Sequence, residues 1–426
     1  MRAYERLLDY VKVWTTSDED SEQTPSTERQ FDLARLLVSR MKEMGIGDAR
    51  VDEHCYVYGS IPASEGCEDF PPIGFIAHLD TATDCSGENV NPQIHENYDG
   101  GYLEIGAGKA LDPKAFPHLK GLKGHTLITT DGTTLLGADD KAGIAEIMTL
   151  AQILLHGRSA DALPEDAARE GERIPHGPVK IAFTPDEEIG GGAKLLDLDL
   201  FGAKYAYTVD GGAPGDINYE TFNAAQAEFT ITGLSVHTGS AKGVMKNAAL
   251  IAAKINAMLP EREIPALTEG YEGFFHLCQI SGNVEKASLK YLIRDHSREH
   301  FKVREEMLRF IEKSVNEEYG EGTCTLEITE QYRNMEEKIR PCMHLVENAK
   351  AVMRELGVEP DPSPIRGGTD GAELSYRGLP CPNLGTGGYC FHGPMEHATV
   401  ENMDMVVRIL LGIIQRYARR EEGGEA

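Results

Sequence analysis

An acidic triplet at the end of an apolar run constrains this chain more than any other stretch. Residues 179–183 have the short apolar pattern of a buried strand, and Asp186, Glu187 and Glu188 follow, ahead of three glycines. Neighbouring carboxylates repel one another and are costly to bury, so a cation should lie close to them. Our hypothesis is a metal ion, with one glutamate left free as a general base. The alternative is an acidic loop in water.

The same chemistry recurs at the ends of three other apolar segments and after one glycine-rich turn. The residues concerned are His78, Asp80, Asp139, Asp140, Asp210, His392, Glu396 and His397. In open α/β sheets ligands bind beyond the carboxyl ends of the strands, so these segments are expected to converge. Imidazole and carboxylate without paired thiolates suit zinc or another divalent transition ion. Two metals about 3.5–4 Å apart, bridged by one carboxylate, would use the whole set.

Taken singly, each of these motifs has a structural explanation. A His-x-Asp at a strand end is often a hydrogen-bonded surface pair, and two aspartates before a helix often cap it. Five such motifs at the ends of apolar segments are hard to explain as five solvated loops. The set as a whole therefore favours a metal site.

Alternation of apolar strands and helical patterns predicts an α/β fold. Residues 1–222 and 334–426 are assigned to one domain with a largely parallel central sheet flanked by helices. Residues 223–333 have a strand–helix–strand–helix–strand pattern, which indicates a smaller α+β domain inserted into the first. Short segments are predicted as a helix at 193–196, a solvated insertion at 156–177 and a disordered tail at 419–426.

Composition excludes several classes of partner. A formal net charge of −27 lacks the basic footprint that nucleic acids and anionic membranes require. The N-terminus lacks the apolar core of a signal peptide, and no apolar run approaches the ~20 residues that span a bilayer. Eight cysteines without a CxxC pair indicate reduced thiols and a cytoplasmic location. The reason for the acidity and the role of 156–177 stay open.

Several longer segments carry a family resemblance. Among them are GFIAHLDTATDCSG (74–87), TLLGADDKAGIAEIMT (134–149), AFTPDEEIG (182–190), PIRGGTDGAELS (364–375) and LPCPNLGTGGYCFHG (379–393). Through them the chain resembles the aminotripeptidases of the dinuclear-zinc exopeptidase family, which also contains carboxypeptidases and aminoacylases. The resemblance covers essentially the whole chain. It implies a zinc-exopeptidase catalytic domain with an inserted lid domain.

The resemblance also implies a ligand set and a reaction. Each subunit would hold two zinc ions with a water bridged between them. This water would attack tripeptides and release their N-terminal residue. Matched residue by residue, the motifs imply that His78 and Asp210 bind one zinc ion and that Glu188 and His392 bind the other. Asp139 would bind both ions. Asp80 would orient His78, and Glu187 would be the general base. His392 is preferred to the competing His397 because the family's ligand lies four residues before a glutamate, here Glu396.

Substrate contacts are implied in the inserted domain and beside it. His237 matches a histidine that the family brings near the substrate, and Arg294 and Arg366 are suited to a bidentate grip on a peptide carboxylate. For Arg294 a salt bridge to Asp295 or a nearby acidic residue is an equal alternative. The sequence departs from the family pattern at three positions: Thr238 replaces proline, Cys390 replaces asparagine and Phe391 replaces tyrosine.

Other functions remain open at this stage. A dipeptidase or an N-acyl amino acid deacylase would use the same metal site. An inactive binding scaffold should lack the base or a ligand, whereas all are present here. A phosphate site on the glycine-rich loop 367–371 is disfavoured because the loop lacks the Gly-Lys-Ser/Thr ending. The metal in vivo, the preferred side chains and the oligomeric state, with a homodimer as one alternative, are not fixed.

Overall fold

The computed structural model describes residues 1–419, which divide into two compact units. Unit 1 comprises residues 1–219, 337–362 and the described residues from 369 onward, and unit 2 comprises 220–336 and 363–368. The short segment 363–368 differs from the predicted domain limits. It belongs to unit 2 because Ile365 donates its N–H to the Glu220 carbonyl at 2.9 Å. The predicted disordered tail lies, except for Arg419, outside the described residues.

Ten α-helices were assigned in residues 1–419. In chain order they are Ala3–Tyr10 (α1), Gln30–Glu43 (α2), Ala138–His156 (α3), Leu198–Phe201 (α4), Ala248–Ala257 (α5), Arg298–Tyr319 (α6), Glu336–Ile339 (α7), His344–Glu355 (α8), Asp370–Tyr376 (α9) and Val400–Tyr417 (α10).

Seventeen β-strands accompany them in the same range. They are Arg50–Val51 (β1), Val57–Ile61 (β2), Ile73–His78 (β3), Gln93–His95 (β4), Leu103–Gly106 (β5), Lys109–Leu111 (β6), Leu127–Thr129 (β7), Val179–Thr184 (β8), Tyr205–Gly211 (β9), Ile217–Asn218 (β10), Asn223–Thr232 (β11), Phe274–Gly282 (β12), Lys286–Asp295 (β13), Cys324–Tyr332 (β14), Asn383–Gly385 (β15), Gly388–Tyr389 (β16) and His397–Thr399 (β17).

The main sheet of unit 1 has seven strands in the order β1-β2-β8-β3-β9-β15-β10. The four central strands run parallel, and the pairs at both edges are antiparallel. The α/β class is confirmed, and the sheet is mixed. The apolar runs of β3 and β8 are almost wholly buried, as strands covered on both faces must be.

Register aligns the strand ends that carry the polar residues. His78, the last residue of β3, lies opposite Thr184, the last residue of β8. Asp210 is the penultimate residue of the neighbouring strand β9. Because the strands are parallel, their carboxyl ends meet at one edge of the sheet.

Helix α3 packs closely on this sheet, and a glycine makes the contact possible. A Cβ atom on Gly143 would collide with the Val209 carbonyl oxygen of β9 and would lie 2.5 Å from an oxygen of Asp140. The helix begins at Ala138, so this close contact also places Asp139 near the strand ends.

Unit 2 is an antiparallel sheet with two helices. Its strand order is β12-β13-β11-β14, and every second residue of β11 from Ala225 to Ile231 is buried, as the predicted alternation requires. Helices α5 and α6 contribute buried residues to the same apolar core, among them Ile251 and Ile311. Strand β12 is absent from the sequence prediction because most of its residues are exposed.

Two smaller predictions need correction. Residues 193–195 lie in a turn, and the helix begins later, at Leu198, where the Asp197 side chain accepts the N–H of Leu200. The insertion 156–177 is not simply solvated, since Leu163 and Ile174 are buried and Arg158 pairs with Asp166 at 2.7 Å. Within residues 1–419, no helix has the length and hydropathy needed to cross a membrane.

We predict that Gly143→Ala lowers the free energy of unfolding by about 1–3 kcal/mol, because α3 must move away from β9 to admit the methyl group. The shift is measured as the midpoint of urea unfolding. Gly47→Ala is the matched control, since a Cβ atom at Gly47 meets nothing within 4 Å. Equal midpoints for the two variants would contradict this packing.

Candidate active site

Two imidazoles face the same aspartate from opposite sides. Nε2 of His78 lies 2.8 Å from Oδ1 of Asp139, and Nε2 of His392 lies 3.4 Å from its Oδ2. Each imidazole also approaches a second carboxylate: His78 is 3.5 Å from Asp210, and His392 is 3.1 Å from Glu188. The arrangement is therefore two imidazole–carboxylate pairs that share Asp139.

The predicted ligands lie close enough to share ions. Two groups of ligand atoms, each within 4.8 Å of one another, are His78–Asp139–Glu188 and His78–Glu187–Asp210. Glu187, predicted as the base, thus lies as close to His78 and Asp210 as a third metal ligand would. His397 is placed differently: its Nε2 lies 3.1 Å from Nε2 of His118.

The electrostatics inside the cluster favour binding of a cation. Burial and the Asp210 carboxylate raise the pKa of Glu187 well above its ordinary value, and burial raises the pKa of Asp210 to about 7. Contacts with Asp139 and Glu188 raise the pKa of His392 to about 11. Protonation can neutralise only some of these crowded carboxylates, whereas a divalent cation would stabilise them all as anions.

One atom of the cluster lacks any partner. Oε1 of Glu188 is buried and accepts no hydrogen bond. A buried carboxylate oxygen without a donor is costly, and coordination to a metal removes that cost. Imidazole and carboxylate ligands, one of them with an unpaired buried oxygen, fit a divalent transition metal.

Asp80 links the ends of two strands. Its carboxylate accepts the N–H groups of Glu187 and Glu188 at 3.0 and 3.2 Å and the hydroxyl hydrogen of Ser17. Its main-chain carbonyl accepts Nδ1–H of His78 at 3.1 Å, and one of its carboxylate oxygens lies 3.4 Å from the same nitrogen. Nε2, the other ring nitrogen of His78, is thereby directed at Asp139. Asp80 therefore fixes both the imidazole and the backbone of the glutamate pair.

Two buried carboxyl groups that support the site were not assigned from the sequence. Glu396 accepts the N–H groups of Leu136, Gly137 and Asp139 at 2.7, 2.8 and 3.0 Å. Burial raises its pKa to about 7. Its signal was a glutamate four residues after His392, but its partners are about 260 positions away in the sequence.

The second is Asp370, at the start of α9. It accepts the hydroxyl hydrogen of Thr184 at 2.7 Å, and burial raises its pKa to about 7. The glycine-rich loop that precedes it was the only sequence signal.

Asp186, the first residue of the acidic triplet, has a structural task. It accepts the N–H and hydroxyl hydrogen of Ser26 at 2.7 and 2.6 Å and the side-chain amide of Gln30 at 2.7 Å. Its φ of 57° lies in the left-handed region, which is uncommon for a residue other than glycine. These bonds hold the turn so that Glu187 and Glu188 face the cluster.

The three residues predicted to bind substrate, His237, Arg294 and Arg366, all belong to unit 2. His237 is exposed, and its Nδ1 accepts the N–H of Gly239 at 3.1 Å. The Arg294 guanidinium donates to the carbonyls of Ala225 and Ile293. Asp295, the predicted alternative partner of Arg294, pairs with a different arginine, Arg304, at 2.8 Å.

Arg366 is also engaged within unit 2. Its guanidinium donates to the carbonyls of Gly270 and Glu272 at 2.7 and 2.8 Å and to the Thr268 hydroxyl at 2.9 Å. It also lies over the ring of Phe222, 5.1 Å from the centroid. The roles of His237, Arg294 and Arg366 in substrate binding stay predictions.

Comparison with known proteins defines the family. The model of Peptidase family M20/M25/M40 matches residues 162–416. A Peptidase T of Clostridium perfringens is 51% identical over 419 residues, which cover 98% of this chain and 100% of the relative. The chain belongs to this peptidase family, so the predicted hydrolase class and the family resemblance are confirmed.

Solved structures share the fold. A tripeptidase from Staphylococcus aureus superposes with a TM-score of 0.75 at 21% identity, covering 98% of both chains. A Bacillus subtilis protein described as a dinuclear metal binding peptidase from the M20 family gives 0.61 at 15% identity, covering 97% of this chain and 98% of its own.

We predict that Glu396→Gln weakens divalent-metal binding about 10–100-fold, as loss of a group that orients a ligand typically does. The amide would turn its own N–H₂ toward N–H groups that need an acceptor. Metal affinity is measured by competition with a coloured chelator, and the exposed Glu104→Gln is the control. Equal affinities would show that Glu396 does not hold Asp139 in place.

Proposed function

We propose that this protein is a metal-dependent aminopeptidase that removes the N-terminal residue from tripeptides. The observation that carries the proposal is the position of Asp139 between His78 and His392, each with a second carboxylate beside it. Such a set suits two neighbouring ions that share a carboxylate.

The chain's own residues would hold two zinc ions. His78 and Asp210 would bind one ion, Glu188 and His392 the other, and Asp139 both. When bound, such ions supply Lewis acidity and make water a nucleophile near neutral pH. The unpaired Oε1 of Glu188 and the absence of sulfur from this set support an ion, such as zinc, that accepts both oxygen and nitrogen ligands.

Glu187 would move the proton. The Asp80 carboxylate holds its backbone, and its own carboxylate lies beside those of the ligands, where a substrate carbonyl would be attacked. Glu187 takes a proton from the attacking water and returns it to the amine that leaves when the peptide bond breaks. Protons and charge balance over this cycle, because one water is consumed and the base is regenerated.

Tripeptides are proposed as substrates from the relatives. Relatives that are about half identical over nearly the whole chain are named Peptidase T, and a tripeptidase shares the fold. The polypeptide supplies one further indication of setting: all eight cysteines are free, as expected of a cytoplasmic protein. A homodimer is compatible with this function and stays a prediction.

We predict that Glu187→Gln lowers kcat by about 10²–10⁴-fold while the metal content stays that of the parent protein, because the amide cannot accept the proton. Turnover of Ala-Ala-Ala and metal content are measured on the same sample. Glu88→Gln, at an exposed position, is the control. Near-normal turnover would refute the base, and loss of metal together with activity would make Glu187 a ligand instead.

The substrate class is tested on metal-replete protein with Ala-Ala-Ala, Ala-Ala and an N-acetyl amino acid side by side. The proposal predicts that kcat/KM is highest for the tripeptide. Preference for the dipeptide would indicate a dipeptidase, and preference for the acetylated compound a deacylase. Absence of turnover on all three would indicate a binding scaffold.

A further inference from the structure

A second cluster of metal-binding side chains lies in unit 1, apart from the carboxylate site. Ligand atoms of His118, Cys390 and His397 lie within 4.8 Å of one another. His118 is on the 3₁₀ helix Pro117–Leu122, Cys390 follows β16, and His397 begins β17. Neither the family resemblance nor the proposed reaction gives these three residues a role.

The two imidazoles are already arranged as a pair of ligands would be. Their Nε2 atoms are 3.1 Å apart. A tetrahedral ion with bonds of about 2.0–2.1 Å holds neighbouring nitrogens roughly 3.3–3.4 Å apart, so little movement is needed. Nδ1 of His397 donates to the Met395 carbonyl at 2.8 Å, which leaves its Nε2 unprotonated. That backbone hydrogen bond is the usual partner of a metal-binding histidine.

Both imidazoles are neutral near pH 7, which ligation requires. Burial lowers the pKa of His397 to about 4, and burial also lowers the pKa of His118. The rings are held in place by Tyr389, whose ring lies 4.5 Å from His118 and 5.5 Å from His397. The Tyr389 hydroxyl in turn accepts a hydrogen bond from Asn402 at 3.0 Å.

Cys390 supplies the sulfur atom of the cluster, and its backbone has an uncommon conformation. Its φ is 57°, in the left-handed region that a non-glycine residue adopts only where its surroundings stabilise it. The residue is half-buried, as is His118, so an ion can reach the cluster from solvent.

We propose that His118, Cys390 and His397 form a third metal site, which takes a late divalent transition ion such as zinc. Two imidazoles and a thiolate select zinc, cobalt or copper over magnesium and calcium. Binding forms one sulfur–metal and two nitrogen–metal bonds. The thiol proton leaves to solvent, and the proton that Nε2 of His118 donates to His397 moves to Nδ1 of His118. Water fills the remaining position.

The site would position a part of the catalytic centre without touching substrate. An ion on Cys390 and His397 would join both ends of the turn that carries His392, and His118 would tie this turn to residues 117–122. This inference does not depend on the proposed peptidase activity.

Cobalt(II) gives a readout specific to this site, because the carboxylate site contains no sulfur. The metal-free full-length protein is titrated with Co²⁺ while absorption is followed in the near ultraviolet, where cobalt–thiolate charge transfer occurs. The parent protein should bind three equivalents and show this band. His118→Asn and Cys390→Asn should each bind one equivalent fewer and lose the band. Cys342→Ser, which changes another half-buried thiol, should keep both.

The outcomes separate this site from the proposed function. Two equivalents without a thiolate band would overturn the third site and leave the carboxylate site intact. A band that persists in either the His118 or the Cys390 variant would overturn the ligand set. Circular dichroism checks that both variants fold, and since they change different segments, failure of one leaves the other as the test.

Discussion

Burial of like charges is the constraint on which the rest of this structure depends. Asp139, Glu187, Glu188 and Asp210 meet around His78 at one edge of the sheet, where they are largely shielded from water. Burial is the main cause of the raised pKa values of the last three carboxyls, and repulsion from neighbouring carboxylates adds to it. A fold that brings them together without a cation would lose stability with each ionised group. Shared ions turn the same proximity into a binding site.

The acidic triplet divides into three tasks that follow from its local bonds. Asp186 is an anchor, because Ser26 and Gln30 occupy its carboxylate. Glu188 has a buried oxygen with no partner, as a ligand needs. Glu187 differs from both by its place beside the ligands and by the hold of Asp80 on its backbone. Three neighbouring carboxylates therefore have different roles because each has different surroundings in the folded chain.

Much of this could be read from sequence because the signals were local. The apolar runs of β3 and β8 predicted buried parallel strands, and the polar residues at their ends predicted one shared site. Strand β12 escaped prediction because exposure removes the alternation on which such predictions rest.

The supporting residues could not be found in this way. Glu396 acts on backbone N–H groups about 260 positions away, and His118 meets His397 across 279 positions. No periodicity or spacing reports such contacts. The resemblance supplied the main ligand roles, whereas the supports of those ligands required the folded chain.

Anomalous scattering from crystals of metal-replete protein tests the central claim most directly. Data collected on both sides of the metal absorption edge locate each ion independently of any assumed ligand. At the carboxylate site we expect two peaks about 3.5–4 Å apart with Asp139 between them, His78 and Asp210 on one, and Glu188 and His392 on the other. A single peak at this site, or two peaks that do not share Asp139, would contradict the shared-carboxylate centre.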